Sequence, residues 1–182
     1  VGTNLIKRLV SEGHEVLSID NYCTGTEENH IDGCRYWNFD LSDEILPIEE
    51  ILTTMCIEKL DCIYHIAALA RIQPSLINPK QSIRNNTIST LNVLDYARLN
   101  NSVVVYAGSS SFWGGVYKNP YTFSKWQGEE LCKMYERVYG LSVTICRFYN
   151  VYGPHQLTKG GYATLIGRWL NNIENGHECE IY

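Results

Sequence analysis

The feature that most constrains this chain is an alternation. Segments 15–20, 34–40, 61–66, 102–107 and 141–148 are short, carry Val, Ile, Leu and Tyr, and read as strands. Helical periods fit 44–58, 80–99, 121–139 and 161–175, and Leu5, Ile6, Leu9 and Val10 set a helical spacing at the start. Strands that alternate with helices predict a doubly wound parallel α/β sheet with helices on both faces. In such sheets ligands sit at the carboxyl ends of the strands. The alternation opens on a helix, without a first strand, and 178–182 reads as the beginning of another strand. The expectation is therefore a fragment truncated at both ends.

Composition narrows the function classes. Hydrophobic residues make up 45% of 182 and charged ones 19%, as in a globular domain. A net charge of −5 argues against nucleic acid or an anionic membrane as the main partner. No apolar run reaches the ~20 residues of a membrane helix, and the first residues lack the order of a signal peptide. The seven cysteines include no C-x-x-C pair. They read as buried free thiols of a reducing cytoplasm, with neither a disulfide framework nor a metal site.

Gly2, the helix after it, the 15–20 strand and Asp20 at its end have the order of an incomplete dinucleotide fingerprint. In the complete motif, glycines let the backbone approach the pyrophosphate, and the acidic residue binds ribose hydroxyls. Only the last glycine position is represented here, by Gly2, whose expected role is close packing of helix on strand.

Four segments together resemble the extended short-chain dehydrogenase/reductase family, in its nucleotide-sugar epimerase and dehydratase branch. They are Asp20-Asn21-Tyr22-Cys23-Thr24-Gly25; Asn38-Phe39-Asp40-Leu41; His65-Ile66-Ala67-Ala68 with Gln73-Pro74-Ser75; and Arg147-Phe148-Tyr149-Asn150-Val151-Tyr152-Gly153-Pro154. The resemblance covers nearly the whole chain and implies a Rossmann-like fold and NAD as cofactor. It implies that Asp20 and Asn21 hold the adenosine ribose, and that Asp40 and Leu41 flank the adenine. Ala67, Ala68 and Phe148 would lie near the nicotinamide, and Asn150 would contact the substrate. It also aligns Asn86 with an asparagine that supports the site, and puts Ser89 where the family has glycine.

Tyr121 and Lys125 are four residues apart at the start of a helix, so they share one face. An ammonium near a phenol favours the phenolate, which suits a tyrosine for general-base work on a sugar hydroxyl. Lys125 is also placed to bind the nicotinamide ribose. Ser109 ends the strand that precedes this helix, and its hydroxyl is the expected bridge between sugar oxygen and phenol. Ser110 and Ser111 are expected substrate contacts. By the same resemblance, water-eliminating members carry Asp-Glu after the catalytic hydroxyl, and decarboxylating members a Glu near position 111. Here the residues are Ser110, Ser111, Phe112 and Trp113.

The expected activity is thus 4-epimerisation of a nucleotide-diphosphate sugar, in the manner of UDP-glucose or UDP-N-acetylglucosamine 4-epimerases. A 4-reductase or dehydratase of the same family, or a non-catalytic NAD-binding relative, stands as the alternative. Residues 1–155 are expected to form the NAD-binding domain and 156–182 the start of a substrate-binding region. The helices at 80–99 and 120–139 are expected to make a homodimer, with Leu91, Leu94 and Tyr135 either in that interface or in the core. Two departures from the family stand out: the short 114–119 link, where a substrate-covering loop is usual, and His155, where Arg is usual.

Overall fold

The structure is a computed structural model that describes residues 1–43 and 48–179. Among the described residues five strands, all in parallel pairs, carry the fold. β1 (Val16–Asp20) pairs with β2 (Cys34–Asn38), and β3 (Cys62–His65), β4 (Val103–Ser109) and β5 (Val143–Phe148) form a second sheet in that order. The expected single sheet is therefore two parallel sheets among the described residues. β1 and β3 share no ladder, and no described strand lies between them. A common apolar cluster joins them instead: Ile48, Leu52 and Tyr96 pack with Leu17 of β1 and Ile63 of β3.

Six α-helices accompany the strands among the described residues: α1 (Gly2–Ser11), α2 (Ile48–Thr54), α3 (Ile72–Ile77), α4 (Pro79–Asn100), α5 (Pro120–Tyr139) and α6 (Leu165–Glu174). The two long ones are punctuated as their sequences dictate. Asn78 and Asn119 accept amide hydrogens of the first turn, and Pro79 and Pro120 open the helices, where a missing N–H costs nothing. Gly140 closes α5 at φ +69°, a conformation that spares it the Cβ clash. α4 and α5 pack on one face of the β3–β4–β5 sheet. Leu94, Ala97, Val104, Tyr106, Cys132, Tyr135 and Leu141 form that core. Leu94 and Tyr135 thus belong to the core, and Leu91 packs against it.

On the opposite face, Val1 and Leu5 lean toward Tyr64, Ile66, Val105, Ala107, Cys146 and Phe148 around a cavity of about 200 Å³. Two expectations change. A Cβ on Gly2 would meet no atom within 4 Å, so close packing does not require glycine there. Of the cysteines only Cys132 is buried; Cys23, Cys56, Cys62 and Cys179 are exposed, and all are free. Cys23, Cys56 and Cys179 lie outside the regular elements, where the sheet cannot cover them. The opening helix through Leu5 and Val10, the 80–99, 121–139 and 161–175 helices and all five strands fall close to their expected places. The 44–58 helix is seen as Ile48–Thr54, and residues 44–47 and 180–182 lie outside the described residues. α3 is an addition to the expected elements, because Pro74 interrupts its pattern.

Candidate active site

Ser109 is the last residue of β4 and caps the 3-10 turn Ser110–Gly114. Its hydroxyl accepts the Ser111 amide at 3.3 Å and lies 2.9 Å from the Ser111 hydroxyl. The Tyr121 hydroxyl, from the first turn of α5, donates to Ser109 Oγ at 3.4 Å. The Tyr121 backbone is fixed at both its N–H and its carbonyl. Ser75 of α3 accepts its N–H at 3.1 Å, and Ser124 donates to its carbonyl at 2.9 Å. Ser124 in turn accepts from Asn86 at 2.9 Å, and Asn86 accepts the Leu69 amide at 2.8 Å.

One turn beyond Tyr121, Lys125 is only 4% exposed. Its ammonium stands 4.3 Å from the centre of the Tyr106 ring and forms no ion pair among the described residues. Burial lowers its pKa to about 8, against the opposing pull of Cys132 and Glu129. Tyr106 donates to the Lys125 carbonyl at 3.2 Å. Burial, helped by the Lys125 charge, also holds His65 neutral, its pKa lowered to about 3. Thr90 gives its hydroxyl hydrogen to the Asn86 carbonyl, so His65 Nε2 is the donor in its 3.0 Å contact with Thr90 Oγ1. His65 is thus a structural histidine. Ser89, in the family's glycine position, is buried, and its hydroxyl has no partner among the described residues.

The other expected residues fall at the carboxyl ends of the two sheets. Asp20 ends β1 and accepts the Tyr22 amide at 2.8 Å. Asn21 donates to Asp40 at 3.0 Å, linking the ends of β1 and β2. Burial pushes the Asp40 carboxyl up, but hydrogen bonds from Ser42 and Asn21 and the Arg84 charge outweigh it and leave it below its ordinary value. Leu41 is half-buried, and its carbonyl accepts from Asn92 at 2.9 Å. Ala67 and Ala68 follow β3, and Phe148, 38% exposed, ends β5 in register with Ser109. Ser110 is half-buried and Asn150 exposed. Ser109, Tyr121, Lys125, Phe148, Ala67 and Ala68 thus share the β3–β4–β5 end, and Asp20, Asn21, Asp40 and Leu41 the β1–β2 end.

The short link folds back. Gly115 turns at φ +107°, and the Tyr117 ring rests 6.0 Å from Phe123 and 5.9 Å from Trp126. His155, at φ +64°, meets Asn29 at 3.0 Å between Nδ1 and Oδ1.

Sequence reasoning named Ser75 but not its hold on Tyr121, and missed Ser124 and the pairing of Glu129 with Arg147. Arg147 Nε and Nη2 donate to the Glu129 carboxylate at 2.7 to 3.1 Å. The available signal was the spacing Tyr121, Lys125, Glu129, which repeats one helical face.

The family model described as "NAD dependent epimerase/dehydratase family" matches residues 1–182. UDP-glucuronic acid decarboxylase 1 of Arabidopsis thaliana is 31% identical over all of this chain and 44% of its own length. Among solved structures, the UDP-N-acetylglucosamine 4-epimerase of Methanobrevibacter ruminantium, in complex with UDP-N-acetylmuramic acid, is 28% identical. It has a TM-score of 0.87, covering 100% of this chain and 61% of that one. The UDP-glucose 4-epimerase of Thermus thermophilus, in complex with NAD, is 26% identical with a TM-score of 0.85, covering 97% and 60%. The chain spans less than two thirds of the relatives it matches.

Proposed function

We propose that this chain, which belongs to the NAD-dependent epimerase/dehydratase family, is the cofactor-binding and proton-transfer part of a nucleotide-sugar 4-epimerase. The observation that carries the reading is the Tyr121 hydroxyl on Ser109 Oγ at 3.4 Å, one helical turn from a buried lysine, in a turn with no carboxylate.

The residues present fit NAD. A buried ammonium that no carboxylate neutralises has hydrogen-bond donors to give a ribose, and that is what Lys125 offers. At the other end, Asp20 and Asn21 offer acceptors to the adenosine ribose, and Asp40 and Leu41 border the adenine. Gly25 lies beside Asp20, where a Cβ would come 3.7 Å from its carboxylate, an ordinary contact. Ala67, Ala68 and Phe148 are proposed for the nicotinamide side, with Gly2 near the pyrophosphate. NAD, when bound, would supply the hydride acceptor and donor that the sugar carbon needs.

The chain's own groups handle the proton. Tyr121 takes it from the sugar O4 as C4 is oxidised, and Ser109 Oγ bridges the same oxygen and the phenol. Ser110, Ser111 and Asn150 orient the nucleotide-diphosphate sugar. Tyr121 then returns the proton when the 4-keto sugar is reduced on the opposite face, so the cofactor leaves unchanged.

A decarboxylase reading has in its favour identities of 26% to 31% with UDP-glucuronic acid decarboxylases of Xenopus tropicalis, Danio rerio and Arabidopsis thaliana. The turn residues Ser110 to Trp113 count against it, and the buried carboxylate of Glu129 is occupied by Arg147. A 4-reductase would consume reduced cofactor in step with product. The exposed Leu99, Met134, Val138 and Tyr139 on α4 and α5 support a homodimer through these helices. Residues 1–155 would be the NAD domain, 156–182 the beginning of the substrate region, and the cytoplasm the setting.

The test is turnover of UDP-glucose, UDP-N-acetylglucosamine and UDP-glucuronic acid with catalytic NAD. Epimer formation without net NADH change is expected, and Tyr121→Phe should lower it on the order of 10²- to 10⁴-fold. Carbon dioxide release, stoichiometric NADH use, or an active Tyr121→Phe protein would each refute the assignment.

A further inference from the structure

The turn that carries the serine hydroxyls has no buried residue of its own, yet it must hold Ser109 and Ser111 in register with Tyr121. What holds it comes from two other elements. Glu129, on α5, is 1% exposed in its side chain, and Arg147, on β5, 26%. Arg147 Nε donates to both carboxylate oxygens, at 3.1 and 3.0 Å, and Nη2 donates to Oε2 at 2.7 Å. Three charge-assisted bonds fix the guanidinium plane. The centre of that guanidinium lies 4.0 Å from the centre of the Phe112 ring and 5.1 Å from that of Trp113. The two rings meet edge to face at 5.1 Å. Gly108, immediately before Ser109, makes room for the pair: a Cβ there would stand 2.7 Å from Glu129 Oε1.

We propose that Glu129 and Arg147 are positioning residues: the carboxylate orients the guanidinium, the guanidinium holds the Phe112–Trp113 rings, and the rings set the Ser109 and Ser111 hydroxyls against Tyr121. The proposal deepens the epimerase reading and rests on Ser109 and Tyr121 being its proton-transfer pair. Arg147 is suited to this because its flat, weakly hydrated cation stacks on rings while binding a carboxylate edge-on; lysine does not match that fork. The clamp replaces a flexible contact with a fixed one, and fixed placement is what proton transfer at a hydrogen-bonded oxygen needs.

The experiment combines a spectroscopic signature with kinetics. The four tryptophans are labelled as 5-fluorotryptophan, and the ¹⁹F signal of Trp113 is assigned by its loss in Trp113→Phe. Arg147→Lys keeps a charge beside Glu129 but removes the flat cation. It should shift the Trp113 signal and leave the other three in place. In the NAD-loaded protein it should lower kcat about ten- to a hundredfold with KM little changed. Phe112→Leu, on a half-buried turn, leaves the buried ion pair intact and should give the same kinetic split, so the test does not depend on a buried charge variant folding. An unmoved Trp113 signal in Arg147→Lys overturns the clamp outright. A moved signal with unchanged kcat overturns its role in positioning. Activity retained in Tyr121→Phe would sink the underlying proton-transfer assignment, and the catalytic consequence with it, while the ¹⁹F shift still reports on the clamp itself.

Discussion

Asn86 Nδ2 donates to Ser124 Oγ at 2.9 Å, and through that hydroxyl the middle of α4 holds the Tyr121 carbonyl on α5. The same amide accepts the Leu69 N–H and donates to the Leu69 carbonyl at 3.3 Å. One side chain, 1% exposed, therefore ties the segment after β3 to the first turn of α5.

Asn86→Ala would leave the Leu69 peptide group without its side-chain partner in a buried place and free Ser124 from its donor. An unsatisfied buried group costs about 1–3 kcal/mol, so a loss of about 2–4 kcal/mol is expected for the groups left unpaired, read from the midpoint of urea unfolding. Asn86→Asp keeps the acceptor but loses the donor and buries a carboxylate beside the Leu69 carbonyl, so it should be destabilised as well. An alanine variant within about 0.5 kcal/mol of wild type, an ordinary surface value, would show that the amide is not holding these segments.

Gly128 sets two rules against each other. In mid-helix, alanine usually beats glycine by about 1 kcal/mol. Here a Cβ would sit 2.1 Å from Tyr106 Oη and 2.7 Å from Cζ. Tyr106 is wholly buried, and its hydroxyl serves the Lys125 carbonyl. Overpacking of this kind costs about 1–3 kcal/mol, and the lost hydrogen bond adds about 1 kcal/mol. The sterics win: Gly128→Ala should be less stable by about 2 kcal/mol, visible as a lower Tm. A rise in Tm would mean that the helix preference governs and that Tyr106 moves aside freely.

These two residues show what the sequence could and could not reveal. The strands were legible because runs such as Val103-Val104-Val105 have few other homes, and Tyr121 and Lys125 because their spacing is local. Asn119-Pro120 announced the helix start in the same way. The supports of the site were not legible. Ser75 reaches Tyr121 across 46 positions, and Arg147 reaches Glu129 across 18. A glutamate on a helix ordinarily reads as a solvated one, and only the packing of α5 against β4 and β5 buries this one. Pro74 hid α3, and with it the contact of Ser75 with Tyr121. The split of the sheet was not legible, because the alternation by itself predicts one continuous sheet.

Acid should act first through His65. Burial, with the Lys125 charge adding to it, lowers its folded pKa from 6.5 to about 3. Between these values the unfolded chain binds a proton that the folded chain refuses, so stability falls as the pH drops through that window. Asp40, held below an ordinary carboxylate value, acts at lower pH. Unfolding free energies measured between about pH 7 and 4.5, inside that window, should therefore decline for wild type and much less for His65→Asn. Parallel curves for the two proteins would place the acid sensitivity elsewhere.

Lys125 should show itself at the alkaline side, with the same sign as His65. Burial lowers its folded pKa from 10.5 to about 8, while Cys132 and Glu129 pull the other way. Below that folded value both folded and unfolded chains carry the charge, and the folded one bears the full burial cost. Between about 8 and 10.5 the unfolded chain holds a proton that the folded chain has released, so this group makes stability rise with pH. Cys132, pushed up to about 12 by burial, and Tyr106, also raised by burial, act in the other direction once unfolded thiols and phenols ionise. The wild-type curve thus mixes both signs. The difference between wild type and Lys125→Met isolates the first. Methionine should be the more stable at neutral pH, and its advantage should shrink as the pH passes from about 8 toward 10. Bound NAD should narrow the gap at neutral pH, because a ribose that accepts hydrogen bonds from the ammonium offsets its burial in the wild type alone. A pH-independent difference would mean that the ammonium carries no burial cost, and that Lys125 reaches solvent in the folded protein.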